Sequence, residues 1–501
     1  MHISRRQFLA SAAATGGLAA APSLLLPAVP AAAASRTTIT AGTRVIEVNG
    51  RAAVVFGLTQ PNGRHGLVLD AGQQFQVRLD NQTEEDTAIH WHGLTPPWRQ
   101  DGVGGISQDP IAAGRSHDYD FLVDAPGTNW MHSHAGLQEQ RLLAAPLIVR
   151  DPDETGDDVQ EVVVMFHDFT FRDPEEILAG LRNGGHGMAS GPVSDSGGHS
   201  GHGAPSAAAS GHGGHGTHGM SAMPTEDSAM DGRAHLQDVQ YDALLANYRT
   251  LGDPEVFQVE QGGRVRLRLI NGAASTNMWI DLGRLPGRLV AVDGMPVQPV
   301  GGSRFEFAVA QRLDILVDVP RERTAWPIFA VQEGDRLRTG IVLAAAGAEI
   351  GTFASQADAG FPAVGAGLEQ RLLAVNPLAE KSADRQHTMM LGEAPGYVWM
   401  LDGAVHGQDT PLSVTHRERF ELTFMNHSTM SHPMHLHGHH FQVVAVNGKR
   451  FAGAVRDTVL VPAAMGSVTI AFDAGNPGNW ALHCHHLYHM AGGMMTSLAY
   501  A

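Results

Sequence analysis

Four separate stretches of this chain set two histidines two residues apart: His90 and His92, His132 and His134, His435 and His437, His483 and His485. On an extended strand alternate side chains share a face, so each pair offers two imidazoles on one side of a strand. A single His-x-His pair is a weak signal, equally consistent with surface histidines on an edge strand. Two pairs in the first third of the chain and two near its end are hard to ascribe to chance. Strands from two domains that face each other would enclose a metal cluster at their interface. Zinc is the obvious rival metal, but four pairs supply far more imidazoles than one tetrahedral zinc site uses.

The last pair brackets Cys484, the only cysteine in 501 residues. Cys484 must point away from its two neighbours, so a metal on its sulfur is joined through the backbone to metals held by His483 and His485. His489 and Met494 follow closely enough to fold back to the Cys484 side. A soft thiolate, an imidazole and a weak thioether suit copper in an electron-transfer role. His432 precedes the third pair by three residues, and Pro433 sets a bend between them, which frees His432 for a different site.

Gly is abundant at 59 residues, Pro contributes 27, and long helical patterns are scarce. That balance predicts an all-β chain of about three domains. The first runs from 35 to 150. It includes an alternating strand at Phe75–Leu79 and a strand from Thr37 to Val55 with turns at Ala41-Gly42 and Asn49-Gly50. The second, 151–345, has a helical pattern near Pro174–Leu181 and strands at Glu161–Phe166, Arg264–Ile270, Arg288–Val292 and Ile315–Val319. It carries no His-x-His pair and reads as a spacer that sets the geometry of its neighbours. Its lone His167 reads as a structural residue. The third, 346–501, opens with an Ala/Gly-rich linker over 346–385.

Inside the second domain the stretch 184–232 has almost no large aliphatic residue and cannot build a core. It holds His186, His199, His202, His212, His215 and His218 with Met188, Met220, Met223 and Met230. Imidazole and thioether on a flexible tether suit copper capture.

Ser4-Arg5-Arg6-Gln7-Phe8-Leu9 is a twin-arginine pattern, followed by a short apolar run and small residues through Ala34. Residues 1–34 therefore read as a cleaved export signal, which predicts a periplasmic or secreted protein without a membrane anchor. The formal net charge is −17, and removing the signal's two arginines makes the balance more acidic. Such a charge argues against nucleic acid and anionic membranes as partners. A single cysteine excludes an internal disulfide, and a metal ligand is the best reason to keep a thiol in an oxidising compartment.

Taken together, His90-Trp91-His92-Gly93, His132-Ser133-His134, His432-Pro433-Met434-His435-Leu436-His437-Gly438, and His483-Cys484-His485 through His489 to Met494 resemble the four motifs of the multicopper oxidases. The resemblance covers the whole chain after the signal. Gly136-Leu137-Gln138-Glu139-Gln140 and the His/Met stretch are similar to the bacterial copper-resistance branch. The resemblance implies three cupredoxin-like Greek-key β-sandwich domains and four coppers. His432, Cys484 and His489 would bind a type 1 copper, with Met494 as its weak axial ligand. His90 and His435 would hold the type 2 copper. His92, His132 and His485 would hold one type 3 copper, and His134, His437 and His483 the other. The implied reaction couples four one-electron oxidations at the type 1 site to reduction of O2 to two waters. Asp101 stands where the family carries a proton-delivering acid, while Met490 stands where some relatives carry a second. Cu(I) and small phenols are the donors implied. For Cu(I), Met430 matches a family methionine ahead of the His432 motif, but Ser428 replaces the acid. His439, His440 and His486 read as exposed or supporting residues. A general phenol laccase, a copper-sequestering protein acting through the His/Met stretch, and more remotely a copper nitrite reductase are the rival readings. Ligands from both ends of one chain predict a monomer.

Overall fold

The computed structural model describes residues 36–153, 158–184 and 236–501. The expected export signal, and the His/Met stretch beyond Gly184, lie outside the described residues. Among the described residues no helix is long and apolar enough to cross a membrane.

The strands of the described residues form six sheets that pair into three sandwiches. In the first, the sheet Arg51–Thr59, Thr37–Val48, Gln74–Asn81, Ser116–Leu122 faces the sheet Leu67–Asp70, Ala144–Arg150, Gly127–Ser133, Ile89–His90. Phe75, Trp91, Tyr119 and Leu147 fill the space between. The alternation read at Phe75–Leu79 has its physical cause here. Phe75, Val77 and Leu79 are buried, while Gln76 and Arg78 face outward. The second sandwich builds its core from Phe166, Phe305, Phe307 and Trp326, and the third from Phe420, Phe424, Phe472 and Trp480. The short helix Pro174–Arg182 starts where its pattern predicts. Asp173 caps it, accepting from the backbone N–H of Glu175 at 3.0 Å and of Glu176 at 3.2 Å, with Pro174 in the first turn.

Two local expectations are corrected. Asn49-Gly50 is a hairpin turn, with φ of 51° and 80°, but Ala41-Gly42 is not a turn. Both residues lie inside Thr37–Val48, paired with Leu58 and Gly57. Pro433 likewise makes no bend, because it lies within the strand His432–Leu436. Strand parity alone sends His432 and His435 to opposite faces.

The glycine that ends two of the histidine motifs is required. Gly93 has φ of 95°, and a Cβ there would strike the side chains of Asn129 and Arg312. Gly438 has φ of 65°, and a Cβ would strike the Trp480 ring.

Candidate metal centres

Register creates the histidine centre. Ile89–His90 pairs with Gly127–Ser133 so that His90 lies opposite His132. In the third sandwich, His432–Leu436 pairs with Asn479–Cys484 so that His435 lies opposite His483. The second histidine of each pair falls just past its strand end. Parity then divides the side chains by face. Trp91 packs into the first core against Phe75 and Tyr119, and Cys484 and Leu436 lie in the third core. The eight histidines meet between the two sandwiches. Seven are buried and His134 is half-buried.

Their donor atoms gather as three groups, His90 with His92 and His435, His92 with His132 and His485, and His134 with His437 and His483, each within 4.8 Å. A fourth group is His432, Cys484 and His489. These groups contain the residues of each set that the resemblance implies, with His92 lying beside His90 and His435 as well as in its own set.

Hydrogen bonds fix which nitrogen faces inward. At the histidine centre the Nδ1–H groups point outward. His90 donates to the Asp101 carbonyl at 2.9 Å, His435 to the Asp457 carbonyl at 2.9 Å, and His483 to the Cys484 carbonyl at 3.0 Å. His437 donates to Asp101 Oδ2 at 2.8 Å. The Nε2 atoms therefore present lone pairs to one another, at 3.4 Å for His90 and His435, 3.3 Å for His132 and His485, and 3.0 Å for His437 and His483. His92 is reversed. Its Nε2 lies 3.1 Å from Asp457 Oδ1, which leaves Nδ1 buried with no hydrogen-bond partner among the described residues.

The Cys484 centre is the mirror case. His432 Nε2 lies 2.6 Å from the Ser428 hydroxyl and His489 Nε2 lies 3.0 Å from Asp238 Oδ2. Their Nδ1 atoms converge, 3.1 Å apart and 3.5 and 3.7 Å from Cys484 Sγ. The short helix Leu487–Ala491 turns the chain back, and Cys484 N–H donates to the Met494 carbonyl at 3.1 Å. Met494 is fully buried in the same core. The His489 ring lies between two others, Trp399 at 3.8 Å and His486 at 3.6 Å.

Converging lone pairs without N–H donors between them repel, and a cation resolves that repulsion. Burial, reinforced by neighbouring imidazoles, holds His92, His134, His435 and His437 well below the ordinary histidine range. They are neutral, as ligands must be. Burial pushes the Cys484 thiol up, so its thiolate form requires a bound metal. Burial and then the Asp168 charge push Glu139 well above the usual carboxylate range, so its ionised form also requires a positive group nearby. Thiolate with imidazole at one centre and clustered imidazoles at the other fit copper.

Several side chains that the sequence does not single out complete the site. Arg312 of the second sandwich is fully buried. Its Nη1 donates to Asp457 Oδ1 at 2.7 Å, its Nη2 to Asp457 Oδ2, and its Nε to the Thr128 carbonyl at 3.1 Å. Arg456 joins Asp293 and Glu369 beside it. Asp238 lies just beyond the His/Met stretch and also accepts from the Tyr397 hydroxyl at 2.6 Å. None of these has a local sequence signal. Each acts across a long chain separation.

Of the two readings, exposed or supporting, burial favours the second for His439 and His486, while His440 is half-buried. His439 Nε2 lies 2.5 Å from the Tyr500 hydroxyl. Met430 is 3% exposed and packs in the third core, so its thioether has no open face for a donor. Ser428, in place of the acid, orients His432. His167 is structural, with Nδ1 2.9 Å from the Gly272 carbonyl and its ring stacked on Tyr248.

Models described as multicopper oxidase match residues 58–154, 160–348 and 380–501. The chain is 29% identical to the multicopper oxidase MmcO of Mycobacterium tuberculosis, over 99% of this chain and 96% of that one. It is 25% identical to copper resistance protein A of Escherichia coli, over 98% of each. The crystal structure of the laccase from Botrytis aclada shares the fold, with a TM-score of 0.70 at 20% identity, over 92% of this chain and 87% of that one. The chain belongs to the multicopper oxidase family. It is a copper enzyme of three cupredoxin-type sandwiches.

Proposed function

We propose that this chain is an exported copper-tolerance oxidase, which takes electrons from Cu(I) or small phenols and passes them to O2. The carrying observation is the strand Asn479–Cys484. It sends Cys484 into one centre and His483 into the other, where His485, just past the strand end, joins it. Copper held by the two centres supplies one-electron oxidation at the first and four-electron reduction of O2 to water at the second. Cys484 is bonded through the backbone to both histidines, and His483 Nδ1–H also donates to the Cys484 carbonyl. These covalent and hydrogen-bonded routes join the centres within one strand.

In this reading Asp101 holds and delivers the protons that water formation consumes. It is 1% exposed, and it touches His90 of the first sandwich and His437 of the third. Its Oδ1 has no hydrogen-bond partner among the described residues. Asp101→Asn keeps an acceptor for His437 and removes the exchangeable proton. Turnover is expected to fall by about 10²–10⁴-fold, while the blue Cys484 centre still forms and is still reduced by donor without O2. Unchanged oxygen uptake in this variant would remove Asp101 from the relay.

The tether reading of residues 184–232 draws support from both flanks. Arg182 donates to the Ala491 carbonyl at 3.0 Å, and Asp238 accepts from His489 at 3.0 Å. The described residues that flank the stretch, Arg182 and Asp238, thus both bond to the helix Leu487–Ala491, which carries His489. Export through residues 1–34 and a monomeric state belong to the same proposal. The test is oxygen uptake by copper-loaded protein given Cu(I) and a methoxyphenol in parallel, with and without residues 184–232. Fast uptake with Cu(I) that drops on deletion supports a cuprous oxidase fed by its tether. Uptake with the phenol alone marks a general laccase. Full copper loading without uptake from either donor leaves sequestration as the better account.

A further inference from the structure

We propose that Glu139 is a positioning residue that braces His132 of the first sandwich and His485 of the third, fixing one half of the histidine centre. The proposal rests on the ligand reading above and adds a residue to it.

Glu139 is 3% exposed, on the turn that follows His134. Oε2 lies 3.0 Å from His132 Nδ1, and Oε1 lies 3.9 Å from His485 Nδ1. On the far side of the same two rings the Nε2 atoms face each other at 3.3 Å. One carboxylate thus stands behind both imidazoles, and their inward nitrogens meet in front. Oε1 is buried with no hydrogen-bond partner among the described residues. A buried carboxylate oxygen left unpaired is costly, and His485 Nδ1 stands 3.9 Å from it.

The turn is built to hold this carboxylate still. Gln138 Oε1 accepts from the Thr87 hydroxyl at 2.7 Å and the Ser133 hydroxyl at 2.8 Å. Gln140 Oε1 accepts from Tyr241 and Tyr488, each at 3.1 Å. Leu142 N–H closes the turn on the Glu139 carbonyl at 2.9 Å. Neighbours on both sides are tied, so the carboxylate has little freedom to leave its histidines.

Glu139 therefore does for His132 and His485 what Asp101 does for His90 and His437. Each carboxylate links one histidine from the first sandwich to one from the third. The Ser133 carbonyl, 3.0 Å from His132 Nδ1, shares in turning that N–H outward; the carboxylate behind both rings keeps Nε2 facing inward, and its charge strengthens the imidazole as a donor.

Glu139→Gln and Glu139→Ala test this in the full chain loaded with copper. The readouts are copper per chain, the blue absorption of the Cys484 centre, and the near-ultraviolet band and electron paramagnetic resonance of the histidine centre. A glutamine can accept from only one imidazole and turns its NH2 toward the other. Retention of copper at His92, His132 and His485 against a chelator is expected to weaken by about 10–100-fold, more in the alanine variant than in the glutamine variant. The blue centre should remain intact, which controls for folding. Full copper retention with an unchanged near-ultraviolet band in both variants would overturn the proposal. Equal loss of the blue centre would also overturn it, by marking a general structural role. Wild-type protein that binds no copper beyond the blue centre would overturn the ligand reading itself.

Discussion

Cys484→Ser is expected to abolish the blue colour and reduce oxygen uptake to background, whichever donor is supplied. The serine hydroxyl is a hard, weakly acidic oxygen and does not replace a soft thiolate for copper. His432 and His489 would remain 3.1 Å apart at Nδ1, but with a neutral oxygen in place of sulfur. The eight histidines of the other centre are untouched, so the variant should lose the ion at Cys484 and keep the rest. Serine is close in size to cysteine, and a buried hydroxyl without a partner costs about 1–3 kcal/mol. The fold should survive. Copper content, blue absorption and oxygen uptake on one preparation check the prediction. Turnover near the wild-type rate would show that electrons enter the histidine centre without passing Cys484.

Arg312→Met is expected to destabilise the protein by about 3–5 kcal/mol, the usual result of removing one partner from a buried ion pair. The side chain lies in the second sandwich, yet it bonds the first at the Thr128 carbonyl and the third at the Asp457 carboxylate. Asp457 Oδ1 in turn lies 3.1 Å from His92 Nε2, and its carbonyl accepts from His435. Loss of the guanidinium leaves Asp457 charged, buried and free to turn away from His92. Thermal or denaturant unfolding should show the loss, and copper retention at the histidine centre should weaken with it. Adding Asp457→Asn removes the stranded charge and should recover part of the stability. Unaltered unfolding of Arg312→Met would deny this clamp any role. The second sandwich reads from sequence as a spacer, and Arg312 is one of the side chains that join it to both neighbours.

What can be read from the chain alone follows from the range of each interaction. His-x-His parity is local, so the separation of Cys484 from His483 and His485 is legible in the sequence. Register is not local. That His90 lies opposite His132, and His435 opposite His483, depends on partners chosen over long distances. Asp457 stands 145 positions from Arg312, and Asp238 stands 251 from His489. No short pattern marks either pair. Proline misleads a local reading. Met295–Gly302 holds Pro296 and Pro299 and is not legible as a strand, yet it lies at the edge of its sheet, where missing N–H groups cost little. Pro433 misleads in the other way, suggesting a bend where parity already separates His432 from His435. Met430 shows only a matching position in the chain, and burial, which sequence does not display, places it in the core.

The inward-facing nitrogens of the histidine centre lie on the seam between the first and third sandwiches. Without a cation that seam is a line of mutual repulsion through the middle of the molecule. With one, each ion is a rivet through both halves. On the ligand reading proposed above, copper bound there would also fasten the first sandwich to the third, so copper loading and resistance to unfolding should rise together.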